Sequence, residues 1–192
     1  YKRQIQLRPL HLLMEFIGDK DEEVRANILK VIGDCRVNGV LKKEHLEAAL
    51  KDNSARVRYF GALAVGQTMT PEALPAVCEM ARANADKDEY LRHAAVMALS
   101  LCGDEAVLLG KDGVEDDAIQ LRALNAAFRV GSEAHAKAIA AFAANPKNGL
   151  LLRAEALNEL GMWGKPALRD RVVGVFRPLA ERDASPAAKA LA

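Results

Sequence analysis

Residues 91–99 read LRHAAVMAL, and this short stretch decides the fold. An apolar residue followed by arginine opens it, and apolar residues then recur at the intervals of one helix face. The same opening pair occurs four more times. The five pairs are Val24-Arg25, Val57-Arg58, Leu91-Arg92, Leu121-Arg122 and Leu152-Arg153. Their spacings of 33, 34, 30 and 31 residues predict a tandem repeat.

Each pair is flanked by residues typical of helix ends. A short polar residue suited to capping a helix start precedes it: Asp21, Ser54, Asp88, Asp116 or Asp117, and Asn148. A glycine suited to the left-handed position beyond a helix end follows it: Gly33, Gly66, Gly103, Gly131 and Gly161. These signals predict helices at 22–32, 55–66, 89–101, 117–130 and 150–160, which we call the second helices of the repeats.

The intervals between the second helices predict one first helix for most repeats. We place these first helices at 7–17, 43–51, 71–84, 133–144 and 166–181, with a short irregular link at 105–113. The tail from 184 reads as the start of a further repeat. Hydrophobic residues make up 51% of the chain and aromatic residues only 5%, a composition that favours helices packed through Ala, Leu and Val.

This pattern resembles HEAT-like repeats, in the short form called lyase-type HEAT-like repeats. The resemblance is carried by DEEVR at 21–25, SARVR at 54–58 and DEYLR at 88–92. It implies an all-α fold, an α-solenoid in which about five to six helix pairs form a right-handed superhelix. We expect a single repeat domain over residues 1–192. Its repeats lie near 5–35, 42–69, 71–104, 105–132 and 133–164, with a partial one at 166–192.

The repeated arginine lies beside the apolar face of each second helix, so we expect it to be partly buried between successive repeats. A buried guanidinium needs acceptors, which nearby aspartates and helix-end carbonyls can supply. We therefore predict a structural ladder of Arg25, Arg58, Arg92, Arg122 and Arg153. The alternative is a row of arginines that binds anions.

The resemblance also implies that the second helices line a concave surface, where the middle repeats place apolar residues. The candidates for partner binding are Tyr59, Phe60, Leu63, His93 and Met97. Two interpretations stay open. These residues pack against neighbouring helices or a further domain, or they form a patch that grips a partner helix or extended segment.

No catalytic or metal-binding motif is found in the sequence. The four histidines form no HExxH and the three cysteines form no CxxC, so we expect no metal and no cofactor. The cysteines are interpreted as small core residues, and His45 and His135 as solvated. A net charge of +1 argues against a nucleic-acid partner, and the longest uncharged run, 59–71, is too short to span a bilayer.

We therefore expect a non-catalytic, monomeric scaffold for protein–protein interaction, whose partner is another protein or an adjacent domain of the same chain. Residues 85–99 resemble the HEAT-like segment of large bacterial proteins that join a β-propeller to a c-type haem domain. That resemblance implies a periplasmic or exported setting; otherwise we expect a cytoplasmic one. The alternative function is a HEAT-like bilin (phycobilin) lyase subunit. A DNA-binding HEAT-like glycosylase is disfavoured by the near-neutral charge.

Overall fold

The computed structural model describes residues 10–103, 109 and 117–192. The chain divides into two compact units, Tyr1–Cys102 and Gly103–Ala192. The described residues form helices joined by turns, and their one β-type pairing is an isolated bridge between Arg169 and Phe176. The all-α class predicted from the sequence is confirmed.

Unit 1 is a stack of helix pairs. Its α-helices are α1 (Glu22–Asp34), α2 (Lys43–Leu50), α3 (Ala55–Gln67), α4 (Leu74–Asn84) and α5 (Glu89–Cys102). The second helices α1, α3 and α5 pack on one another in order, while α2 packs on α3 and α4 on α5. Each layer therefore contacts its neighbours in sequence, which is the arrangement of an α-solenoid. Of the first helix predicted at 7–17, residues 10–17 are described; residues 10–13 are α-helical, Met14–Phe16 form a 3-10 helix, and Ile17 lies in the turn that follows.

Unit 2 contains α6 (Asp117–Val130), α7 (Glu133–Ala144), α8 (Leu150–Gly161) and the short α9 (Ser185–Leu191). Helix α7 packs against the other three. Trp163 is 1% exposed at the centre of the unit and meets the Phe128 ring edge-on at 5.9 Å between centroids. The Arg182 guanidinium stacks over both rings, at 4.0 Å from Trp163 and 4.7 Å from Phe128. The predicted link at 105–113 and the candidate cap Asp116 lie outside the described residues, apart from residue 109.

The helix predicted at 166–181 is wrong. This segment is a turn held by backbone bonds: the Asp170 amide donates to the Val175 carbonyl at 2.9 Å and the Arg177 amide to Leu168 at 3.1 Å. Valines at 172, 173 and 175 and a glycine at 174, with φ of +70°, favour extended and turned backbone over helix. The carboxylate of Asp170 accepts from the amides of Val172 and Val173 and from Arg129, which fixes the turn.

The glycines predicted to lie beyond helix ends have a different role at three positions. Gly33, Gly66 and Gly161 lie inside α1, α3 and α8, so that prediction is wrong for them; Gly131, with φ of +71°, follows α6 as predicted. A Cβ on Gly66 would lie 3.1 Å from Ala98 Cα of α5, and one on Gly33 would lie 3.4 Å from Ala64 Cα of α3. At Gly66 a side chain would therefore crowd the backbone of α5, whereas at Gly33 it would meet the backbone of α3 at an ordinary contact distance and would displace only the flexible end of Gln67.

Two of the predicted helix caps form and two do not. Asp21 accepts a bond from the Glu23 amide at 2.9 Å, and Asp88 accepts from the amides that follow it in α5. Ser54 occupies the cap position of α3 without a side-chain cap bond. Asn148 precedes the cap residue of α8 and donates to the Phe142 carbonyl at 2.8 Å.

Candidate functional site

The first of the repeated arginines joins two layers of unit 1. Arg25, on α1, donates from Nε and Nη2 to the two carboxylate oxygens of Asp52, which precedes α3, at 2.9 Å each. Its Nη1 donates to the carbonyls of Asp19 and Lys20 at 2.7 and 3.1 Å. Partial burial alone would raise the pKa of Asp52, but the hydrogen bond and charge of Arg25 lower it below its ordinary value. This fork is a charge-assisted link between consecutive repeats.

Arg58 and Arg92 repeat one part of this arrangement. Arg58 Nη1 donates to the carbonyls of Asp52 and Asn53, at 2.6 and 2.9 Å. Arg92 Nη1 lies 3.5 Å from the carbonyl of Asp86. In all three repeats of unit 1 the arginine thus reaches the carbonyl six residues before it. All three arginines donate to backbone carbonyls. Among these contacts, only Arg25 also donates to a carboxylate, that of Asp52.

The two arginines of unit 2 have other surroundings. Arg122 is buried, with 6% exposure, and its Nη1 lies 3.4 Å from Asn125 Oδ1. Arg153 Nε donates to the Ala143 carbonyl, ten residues back, at 2.7 Å. The contacts seen in unit 1 are therefore not reproduced by Arg153. A continuous ladder along the whole chain stays a prediction.

Three aromatic rings and one arginine lie on successive second helices of unit 1, and we call these four residues the aromatic surface. Tyr59 meets Phe60 edge-on at 5.0 Å between ring centroids, and meets Tyr90 of α5 edge-on at 6.4 Å. The Arg56 guanidinium stands 5.5 Å above the Phe60 ring and pairs with Glu23 of α1 at 3.1 Å. Tyr90 is 64% exposed, although Tyr59 and Phe60 are half-buried. The aromatic surface is therefore exposed to solvent at Tyr90.

The remaining candidates from the sequence divide by burial. Leu63 and Met97 are half-buried, like Tyr59 and Phe60. His93 is buried, with 5% exposure, and is a core residue of α5. Sequence reasoning missed Arg56 and Tyr90, although both stand immediately before an opening pair of the repeat. Arg56 also lies four residues before Phe60, the spacing at which side chains of one helix meet.

A buried polar cluster in unit 2 was not predicted. Glu159 of α8 is fully buried, and its Oε1 accepts from Asn125 Nδ2 at 3.0 Å. The pKa of Glu159 is raised to about 8, mainly by burial. The hydrogen bond from Asn125 and the charges of Arg171 and Arg182 offset only part of that rise. The carboxyl group is therefore protonated at neutral pH. The signal in the sequence was a polar residue at position 125, where the first repeat has Ile28.

Two interpretations of single residues are corrected. His135 is buried rather than solvated, with 5% exposure, and its Nδ1 lies 2.6 Å from Ser132 Oγ. Cys35 is exposed at the end of α1 rather than in the core. Burial raises the pKa of both other thiols, Cys78 and Cys102, as expected of half-buried cysteines.

Within the part of the chain that the structure describes, no three histidine, cysteine or acidic side chains cluster closely enough to hold a metal ion. None of the described helices combines the length and the hydropathy needed to cross a bilayer. No curated protein matches the sequence. Residues 9–100, which cover most of unit 1, match the family model described as HEAT repeats. The stacked second helices and this match together show that residues 9–100 form HEAT-like repeats.

Proposed function

We propose that this chain is a non-catalytic scaffold whose aromatic surface binds a protein partner. HEAT repeats commonly mediate protein–protein interaction. The observation that carries the proposal is the contact of Tyr59 with Tyr90 across two second helices, with Tyr90 64% exposed. In this proposal the second helices form the concave wall of the array, and a helix or extended segment lies across them.

The chemistry of the aromatic surface supports this use. Tyrosine and arginine are enriched among the residues that dominate binding energy, because they offer large contact areas with a polar end. Arg56 is held above Phe60 and against Glu23, so its guanidinium is already positioned. The contacts among the rings restrict the side chains before a partner arrives, which reduces the entropy lost on binding.

The test begins with a photo-crosslinking residue at position 90 of the natural full-length chain, made in its own cells. A partner identified in this way is then purified, and its affinity is measured for the parent and for Tyr59→Ser/Phe60→Ser. We expect at least a tenfold loss, because two anchoring rings are removed. The control is Leu168→Ser, in unit 2, which removes an apolar side chain that is more exposed than either ring.

Unchanged affinity for the double variant would refute the proposal. Crosslinks confined to the same chain would also refute it, because they would identify the aromatic surface as a contact with an adjacent domain.

The lyase alternative makes a different prediction. A bilin lyase subunit would change the absorption spectrum of a bilin mixed with an antenna acceptor protein, by attaching or isomerising the pigment. We expect no spectral change when this chain is added, and a change would replace the scaffold proposal with the enzymatic one.

A further inference from the structure

Two cavities of unit 1 occupy equivalent places in the repeat. Each is lined by the arginine of one second helix and by the apolar residue that opens the next: Arg25 with Val57, and Arg58 with Leu91. The first cavity has a volume of about 270 Å³ and the second about 670 Å³. We call the second the Arg58 cavity. The repeat therefore allows one cavity to be compared directly with the other.

The two arginines differ in what they bind. Arg25 gives Nε and Nη2 to the carboxylate of Asp52, which also lines the smaller cavity. Arg58 uses Nη1 for two backbone carbonyls, as Arg25 does. Among the described residues, no acceptor lies within hydrogen-bonding distance of Arg58 Nε or Nη2, although the charge of Arg58 also acts on the carboxylate of Asp52 and lowers its pKa. The planar fork that Arg25 uses to hold a carboxylate is thus unoccupied on Arg58.

The backbone before α5 explains the difference. Asp52 precedes Arg58 by six residues, and its counterpart in the next repeat is Asp86, six residues before Arg92. Ala85 and Asp86 both have left-handed backbone, with φ of 44° and 60°, in a repeat one residue longer than the one before it. Asp86 is exposed and does not line the Arg58 cavity. The carboxylate that the repeat pattern would supply is therefore directed elsewhere.

The charges that line the Arg58 cavity balance, since Lys51, Arg58 and Lys87 stand against Asp52, Glu79 and Asp88, but they differ in whether they are paired. Lys51 and Lys87 line it, and neither forms an ion pair with another described residue. Its three acidic lining residues are already engaged: Asp52 with Arg25, Glu79 with Arg82, and Asp88 with the amides that begin α5. The apolar lining comes from Leu50, Ala76, Met80 and Leu91.

We propose that the Arg58 cavity binds an acidic side chain of a partner protein, whose carboxylate takes on Arg58 the place that Asp52 takes on Arg25. The apolar lining would cover the methylene groups of a glutamate and its flanking residues. This inference deepens the proposed function and rests on it, because the carboxylate arrives on a polypeptide.

The experiment uses ¹⁵N-labelled full chain and the Nε–H NMR signals of its arginines. The probe is the capped peptide acetyl-Ala-Leu-Glu-Leu-Ala-amide, and the matched control peptide has Gln in place of Glu. We expect the Glu peptide to shift the Arg58 signal saturably and the Gln peptide to leave it unmoved. The Arg25 signal should stay in place, because that guanidinium already holds a carboxylate.

Two variants test the site from different sides. Arg58→Gln removes the fork, and Ala83→Leu places a larger side chain on the cavity lining without altering Arg58. We expect either change to weaken binding of the Glu peptide at least tenfold. Thermal unfolding confirms that each variant folds. The titration of the unaltered chain decides the question even if Arg58→Gln does not fold.

Three results would overturn the inference: an unmoved Arg58 signal, equal shifts with the Gln peptide, or equal shifts with inorganic phosphate, which would indicate an unselective anion site. These outcomes are separable from those at position 90. If the Glu peptide does not shift the Arg58 signal but the partner still binds, only the proposal for the Arg58 cavity is rejected. If the peptide does shift it but the aromatic variants bind the partner normally, only the proposal for the aromatic surface is rejected.

Discussion

Glu159 makes the stability of unit 2 depend on pH in a direction opposite to that of most carboxylates. Its pKa is about 8 in the folded chain, against an ordinary value of 4.5. Below pH 4.5 both the folded and the unfolded carboxyl groups hold the proton, so the full stability is present. Above it the unfolded chain releases the proton and the folded chain keeps it. The free energy of unfolding therefore falls by about 1.4 kcal/mol per pH unit until pH 8.

The magnitude follows from this difference in pKa. The loss sums to about 5 kcal/mol between pH 4.5 and 8, of which about 3 kcal/mol is already lost at pH 7. Glu159→Gln keeps the shape of the side chain and the oxygen that accepts from Asn125, but it cannot ionise. We expect the variant to lose this dependence on pH, so that its stability relative to the parent rises by about 3 kcal/mol between pH 5 and pH 7, whatever its buried amide costs at every pH.

The assay is urea unfolding at pH 5, 6, 7 and 8, followed by the fluorescence of Trp163. This is the sole tryptophan of the chain and is 1% exposed in the same unit, so it reports directly on the unit that contains Glu159. The control is Glu181→Gln, which changes an exposed glutamate. Parallel pH profiles for the parent and Glu159→Gln would refute the reasoning, as would a parent whose stability rises from pH 5 to pH 8.

Three further predictions concern packing and ion pairs. A double-mutant cycle on Arg25 and Asp52 should give a coupling energy several-fold larger than that of an exposed helical ion pair. The coupling should fade as pH drops through the lowered pKa of Asp52, and a coupling that does not change as the pH is lowered would contradict this. Gly66→Ala should lower the free energy of unfolding by about 1–3 kcal/mol, because the new Cβ meets α5. Gly161→Ala, where a Cβ meets nothing, should leave the free energy of unfolding unchanged or raise it by up to about 1 kcal/mol. Thermal unfolding by circular dichroism checks both, and the reverse order would be inconsistent with the close approach. Asp170→Ala should cost about 2–4 kcal/mol, because it removes a buried acceptor of two amides and an arginine; a loss below about 0.5 kcal/mol in urea would count against that role.

The sequence predicted the helices well where local signals agree. The opening pair and the helical period both indicate α6, which begins and ends where predicted, and so does α7, which is predicted from the interval between two second helices. The prediction of a helix at 166–181 failed because the composition of this segment is mixed. Alanine and leucine near its start favour helix, but the valines and Gly174 are decisive once Asp170 is buried against Arg129.

The candidate site was harder to predict because it depends on contacts between distant residues. Tyr59 and Phe60 are evident on one helix, but the contact of Tyr59 with Tyr90 requires the spacing between α3 and α5. Asn125 and Glu159 are 34 residues apart and meet only when α6 and α8 pack. Burial of a single residue such as His93 is likewise a property of the assembled layers and not of one helix face.

The glycines inside α1 and α3 have a consequence for how such a chain can grow. Because Gly33 faces Ala64 and Gly66 faces Ala98 at matching positions, successive second helices of unit 1 meet through the same pair of small residues, a glycine and an alanine. A duplicated segment of one repeat length, spliced in frame after α3, would find a compatible neighbour on either side. Lengthening by duplication therefore needs little accompanying mutation in this half of the molecule.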